Sequence, residues 1–166
     1  KHLLSSLAHS KSIVAVGCNY RFHPAIQLAK NTLENGTIGK VYNFRSEFGQ
    51  YLPDWRPWQN YKESYTARKD LGGGIILDMS HEIDYVIWLA GEPSEISCFS
   101  GHISNLEVDV EDTASMVLRL PNGIIGEIHV DFVQRTYNRT LKVVGELGSL
   151  ELDLATHDLQ VFNSGE

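Results

Sequence analysis

The sequence predicts an α+β fold, a helical layer packed on a mostly antiparallel sheet. Two observations carry that prediction. Residues 24–34 and 75–90 show helical spacing of apolar positions, whereas from residue 95 onward the chain breaks into short alternating runs. Tight turns such as Pro121-Asn122-Gly123 and Gly145-Glu146-Leu147-Gly148 separate those runs. Successive strands joined by tight turns pair antiparallel, and helices laid on such a sheet define the α+β class.

The elements follow in order. Leu3, Leu4, Leu7 and Ala8 have helical spacing, and "SIVAVGCNY" (12–20) is an apolar, β-branched run of the kind found in a buried parallel strand. Pro24 suits a first helical turn; Ile26, Leu28, Ala29 and Leu33 supply an apolar stripe, and Asn35-Gly36 ends it. A strand is expected over 40–49. Residues 50–70 form a long loop too rich in Trp, Tyr and Arg to be disordered, either a substrate- or partner-contacting segment or a structural wrap. A helix over 75–90 comes next, behind Gly72-Gly73-Gly74. Strands are expected over 95–103, 112–120, 123–133, 138–146, 148–154 and 158–163. Along 124–132 the even-numbered apolar residues face one way. Glu127, His129 and Asp131 face the other, toward solvent or another subunit.

Composition narrows the function classes. A net charge of −7 argues against a nucleic-acid surface, and no run nears the roughly 18 apolar residues of a membrane span. Cys18 and Cys98 are far apart and form no C-x-x-C, which suggests reduced thiols and a cytoplasmic protein. The sequence contains no G-x-G-x-x-G, no P-loop and no G-x-S-x-G.

The chemistry concentrates on the 75–90 helix. At about 100° per residue, Ile75, Ile76, Met79, Ile83, Val86 and Ile87 form a core stripe. Asp78, His81, Glu82, Tyr85 and Trp88 gather on the other side, with Asp84 beside His81. Asp78 and His81 at i,i+3 are within reach of each other, and a carboxylate beside an imidazole is one way to poise a general acid/base. A merely solvated polar face is the competing reading. A metal set of Asp78, His81 and Glu82 lacks a further His or Cys at ligand spacing, so no metal is expected. The glycines serve either as a flexible link or as room for a ligand at the helix start.

"VGCNYRFHPAI" (16–26) followed by "GGGIILDMSHEIDYVIWLAGEP" (72–93) resembles the Gfo/Idh/MocA oxidoreductases. The loop 50–70 looks closest to members of bacterial surface-sugar pathways. The resemblance implies an N-terminal Rossmann domain binding NAD or NADP and a C-terminal domain with an open, mostly antiparallel sheet. A sugar or polyol would lie between them. Residues 1–20 would be the last helix and strand of the Rossmann domain, and 21–166 the substrate-binding and oligomer-forming domain. The family's Glu-Lys-Pro is absent from this sequence, so the chain alone is expected to be inactive. By residue, the resemblance makes His81 the acid/base, with Asp78 orienting it or binding a sugar hydroxyl. Asn19, Tyr20 and Arg21 would lie near the nicotinamide; Trp55, Arg56, Tyr65 and Tyr85 would meet the substrate. Many members have Asp and His four apart, whereas here they are three apart, which puts the role of Asp78 in question. A homodimer or homotetramer through the sheet face is implied, and a non-catalytic module of the same fold is the alternative.

Overall fold

The computed structural model describes Ser5, Leu7 and residues 10–164. Its centre is a seven-stranded sheet in the order β2-β3-β4-β1-β5-β6-β7. The strands are β1 Val41–Gly49, β2 Glu95–Gly101, β3 Thr113–Arg119, β4 Ile125–Asp131, β5 Asn138–Gly145, β6 Gly148–Asp153 and β7 Asp158–Asn163. Every predicted strand from residue 40 onward is present, with ends within three residues. All neighbours pair antiparallel except β1 and β4, which run parallel with Phe44 opposite Gly126 and Phe48 opposite Val130. The β2-β3-β4 meander returns its last strand to the side of β1, and the helical segment between β1 and β2 supplies the long crossover that a parallel pair needs.

One face of the sheet is covered. Phe44, Ile128, Val130, Leu141, Val143, Leu150 and Leu152 form its apolar floor, all at most 1% exposed. Helix α1 (Pro24–Glu34) starts as its sequence suggests: Pro24 sits in the first turn, and the His23 ring accepts a hydrogen bond from the Ala25 amide. Residues 50–74 are a wrap of short turns containing helix α2 (Leu52–Trp55), with Leu52, Thr66 and Ala67 buried in it.

Two expectations fail. The run 12–20 is not a buried strand: residues 13–18 have no regular structure, Ile13 and Val16 are 98% and 89% exposed, and Asn19–Phe22 is a 3₁₀ turn. No described strand lies beside this run, so its backbone has no ladder to join. Ser5 and Leu7 are helical, but Leu3, Leu4 and Ala8 lie outside the described residues.

The 75–90 helix is also broken, into α3 (Ile75–Asp78) and α4 (Ser80–Ala90), with Met79 at φ −99°, ψ 29° between them. A wheel drawn straight through Met79 misassigns faces. Glu82 and Tyr85 are fully buried and belong to the core side, while Ile76, Ile83 and Ile87 are half-buried. The glycines ahead of α3 serve the backbone. Gly74, at φ +118°, leaves space that the Glu111 carboxylate fills, and Glu111 Oε1 accepts from the Ile76 amide at 3.2 Å. The Glu111 carbonyl accepts from Ile75 at 3.1 Å. The room expected for a ligand is therefore taken by a carboxylate that caps the helix start.

Candidate active site

Helix α4 lies over the central strand β1, and two polar contacts tie it there. Tyr85, fully buried, shares a hydrogen bond of 2.6 Å with Ser46 of β1. Glu82 Oε1 accepts from Arg139 Nε of β5 at 2.6 Å, with both side chains at most 7% exposed. Arg139 stands opposite Phe48 in the β1–β5 ladder, on the covered face. Its guanidinium is 4.1 Å from the Tyr20 ring centroid and 5.0 Å from that of Phe48, a cation held between two π-faces. It also donates to the Tyr20 hydroxyl and reaches Met79 Sδ at 3.9 Å.

Tyr20 then meets His81. Their ring centroids are 4.9 Å apart with planes tilted by 38°. Tyr20 also stacks on His23 at 5.9 Å, and His23 on His157 of the β6–β7 turn at 5.2 Å. On the other flank Arg21 grips Asp84 with two hydrogen bonds, 2.6 and 2.9 Å. The 3₁₀ turn Asn19–Phe22 is thus clamped to α4 by the Arg21–Asp84 ion pair and the Tyr20–His81 ring contact.

The electrostatics follow from these contacts. Arg21 holds the Asp84 carboxyl below the usual carboxylate range. Hydrogen bonding to Asp84 pushes the Cys18 thiol up. Burial pushes the Glu82 carboxyl up while the Arg139 hydrogen bond pulls against it, and burial raises the Tyr20 hydroxyl. Burial and the neighbouring His157 and Arg139 charges lower His23.

Sequence reasoning meets this site unevenly. His81, Tyr20 and Arg21 come together, with Asn19 exposed at the start of their turn. Asp78 makes no hydrogen bond to His81, from which the Met79 kink separates it. Its Oδ2 is buried without a partner. Tyr85 is corrected: a fully buried side chain bonded to Ser46 has no surface for a substrate. Trp55, Arg56 and Tyr65 form a separate group. Trp55 donates to the Gln50 carbonyl and packs edge-on against Phe48 and Phe132, while Arg56 lies 5.5 Å above the Tyr65 ring. Among the described residues none of the three is in hydrogen-bond or ring contact with His81. The described residues hold no group of three or more His, Cys, Asp or Glu side chains placed to hold a metal ion. Sequence reasoning missed Arg139, although period-two alternation with Leu141 and Val143 already assigns it to the covered face.

Residues 26–151 match the GFO/IDH/MocA C-terminal domain. The chain belongs to that family. Levoglucosan dehydrogenase of Pseudarthrobacter phenanthrenivorans is 31% identical over 91% of this chain and 45% of its own length. Myo-inositol 2-dehydrogenase of Thermotoga maritima is 32% identical over 85% of this chain and 41% of its own. A solved levoglucosan dehydrogenase complex with NADH and levoglucosan superposes with a TM-score of 0.82 at 28% identity, over 99% of this chain and 47% of that one. The chain therefore spans less than half the length of these GFO/IDH/MocA relatives. The family match covers the site helix α4 and strands β1 to β5, so His81, Glu82, Asp84 and Arg139 fall within it, whereas Tyr20, Arg21 and His23 precede it.

Proposed function

We propose that this chain is the substrate-binding half of an NAD-dependent dehydrogenase that oxidises a hydroxyl of a sugar or polyol, with His81 as acid/base. The observation that carries the reading is the position of His81, against the Tyr20 ring and on the same helix, α4, that binds Arg21 through Asp84, a helix shared with the family's dehydrogenases. Residues 1–20 are read as the end of a nucleotide-binding domain. Supporting that is the exposed run Ile13–Val16, whose apolar surface needs cover.

The residues present suit one end of such a cofactor. Asn19 is exposed beside the Tyr20–His81 contact, but Arg21 is already paired, and no G-x-G-x-x-G is present for a pyrophosphate. When bound, NAD supplies the hydride acceptor. His81 takes the proton of the substrate hydroxyl at a ring nitrogen as the hydride leaves the same carbon, and returns it in the reverse direction. Asp78, half-buried at the end of α3, is read as the carboxylate that orients His81 or meets a sugar hydroxyl. Arg56 and Tyr65 would meet a more distant part of the substrate. The open sheet face, with Phe99, Val117, Ile125 and Phe162 exposed, is read as the subunit contact, and the protein as cytoplasmic.

The test is His81→Ala in the full-length protein, assayed with NAD and a panel including levoglucosan and myo-inositol. A kcat loss of roughly 10²–10⁴ is expected, while near-normal turnover overturns the acid/base role.

A further inference from the structure

We propose that Tyr20 is a positioning residue for His81, locked in place by the buried Arg139–Glu82 pair and presenting its ring as the wall against which the imidazole is held. The role of His81 as acid/base rests on the function proposed above; the positioning itself does not.

Burial supplies the first argument. A guanidinium and a carboxylate removed from water lose their hydration, and apolar residues would fill the same volume without that cost. Here Glu82, one residue along α4 from His81, meets Arg139 of β5 in the core, and Glu82 Oε2 is left without a partner. Arg139 spends its remaining contacts on one neighbour above all, donating to the Tyr20 hydroxyl and lying 4.1 Å from its ring centroid. The phenol is thus fixed by a hydrogen bond at its tip and a cation on its face.

The second argument is the path outward. Tyr20 belongs to the four-residue turn Asn19–Phe22, which has no buried residue to anchor it. Its anchors are side-chain contacts: Arg139 to Tyr20, Arg21 to Asp84, and Gln27, whose side-chain amide donates to the Arg21 carbonyl. Remove Arg139 and the turn keeps its Asp84 link and the His23 stack but loses the hydrogen bond and the cation that fix the Tyr20 hydroxyl and ring face. The imidazole rests on that ring at 4.9 Å.

The prediction is read by NMR on full-length protein labelled at histidine, with the His81 signal assigned through His81→Ala. In Tyr20→Leu the His81 ring protons move downfield as the aromatic shielding is lost. Tyr20→Phe, which keeps the ring, preserves most of the shielding. Arg139→Met paired with Glu82→Leu keeps the core filled but frees Tyr20, and the His81 signal broadens or shifts toward that of Tyr20→Leu. In turnover assays Tyr20→Leu lowers kcat by roughly 3- to 30-fold with KM little changed. An unchanged His81 spectrum in Tyr20→Leu overturns the proposal, as does a double variant whose His81 signal matches wild type. If His81→Ala proves fully active while the spectra behave as described, the positioning stands and the acid/base role alone fails.

Discussion

The two faces of the sheet each carry a guanidinium–carboxylate pair of nearly the same geometry. On the covered face Arg139 Nε lies 2.6 Å from Glu82, with side chains 7% and 0% exposed. On the open face Arg45 Nε lies 2.7 Å from Glu127, with side chains 64% and 48% exposed. The difference teaches that distance alone says little about an ion pair. Water screens the open pair and replaces either partner when it leaves; beneath α4 nothing replaces a lost partner.

The largest expected effect breaks that comparison directly. Arg139→Ala leaves Glu82 charged or forced to protonate in the core, a loss of about 3–5 kcal/mol. Arg45→Ala on the open face changes stability by less than about 1 kcal/mol. Urea unfolding of the full-length variants measures both. Equal losses would mean that solvent reaches the α4–β5 contact and that the covered face is not closed.

A middle-sized effect is expected at the start of the site helix. Gly74 occupies φ +118°, ψ 146°, a conformation that side chains rarely adopt, and a Cβ there would displace the Glu111 carboxylate from the Ile76 amide. Gly74→Ala should cost about 1–3 kcal/mol through strain and the lost cap. Gly72→Ala, at φ +79° with open space around it, should cost less. A reversed order would show that the Glu111 cap contributes little.

The parts legible in the sequence are those set by local pattern. Period-two alternation places β3 to β7 within three residues, and Pro24 with His23 marks the start of α1. The family resemblance singles out His81 and residues 19–21, of which the fold sets Tyr20 against the His81 ring and pairs Arg21 with Asp84 on the same helix, while Asn19 stays exposed. Apart from the local kink at Met79, the failures have a common physical form, because each depends on a partner distant in sequence. Residues 12–20 have the composition of a buried strand, but no described strand lies beside them. The faces of the 75–90 segment cannot be drawn without the kink at Met79. The parallel register of β1 with β4 joins strands about 80 residues apart. Glu82 looks like a solvated charge in its own segment, and alternation puts Arg139 on the covered face without naming what it meets there; only the β5–α4 contact makes them a buried pair.

The smallest expected effect sharpens the contrast through two histidines whose pKa values move in opposite directions. On the open face His129 Nδ1 is hydrogen-bonded to Ser115 at 2.8 Å and Nε2 to Asp131 at 3.1 Å, with Glu47 of β1 directly opposite. The Asp131 hydrogen bond raises the His129 pKa. Its stabilising contribution is therefore fully present below the unfolded value of about 6.5 and is lost as pH rises through the higher folded value. His23, on the covered side, is lowered by burial and by His157 and Arg139, so its contribution is lost as pH falls. The two trends partly cancel in the intact protein, so the difference between wild type and variant must be followed. The stability advantage of wild type over His129→Asn should shrink between pH 5.5 and 8.5 by no more than about 0.5 kcal/mol, since the imidazole side chain is 40% exposed. The advantage of wild type over His23→Asn should instead grow across that interval. Parallel trends in the two variants would mean that burial at the Tyr20–His23 stack is not what sets the His23 charge.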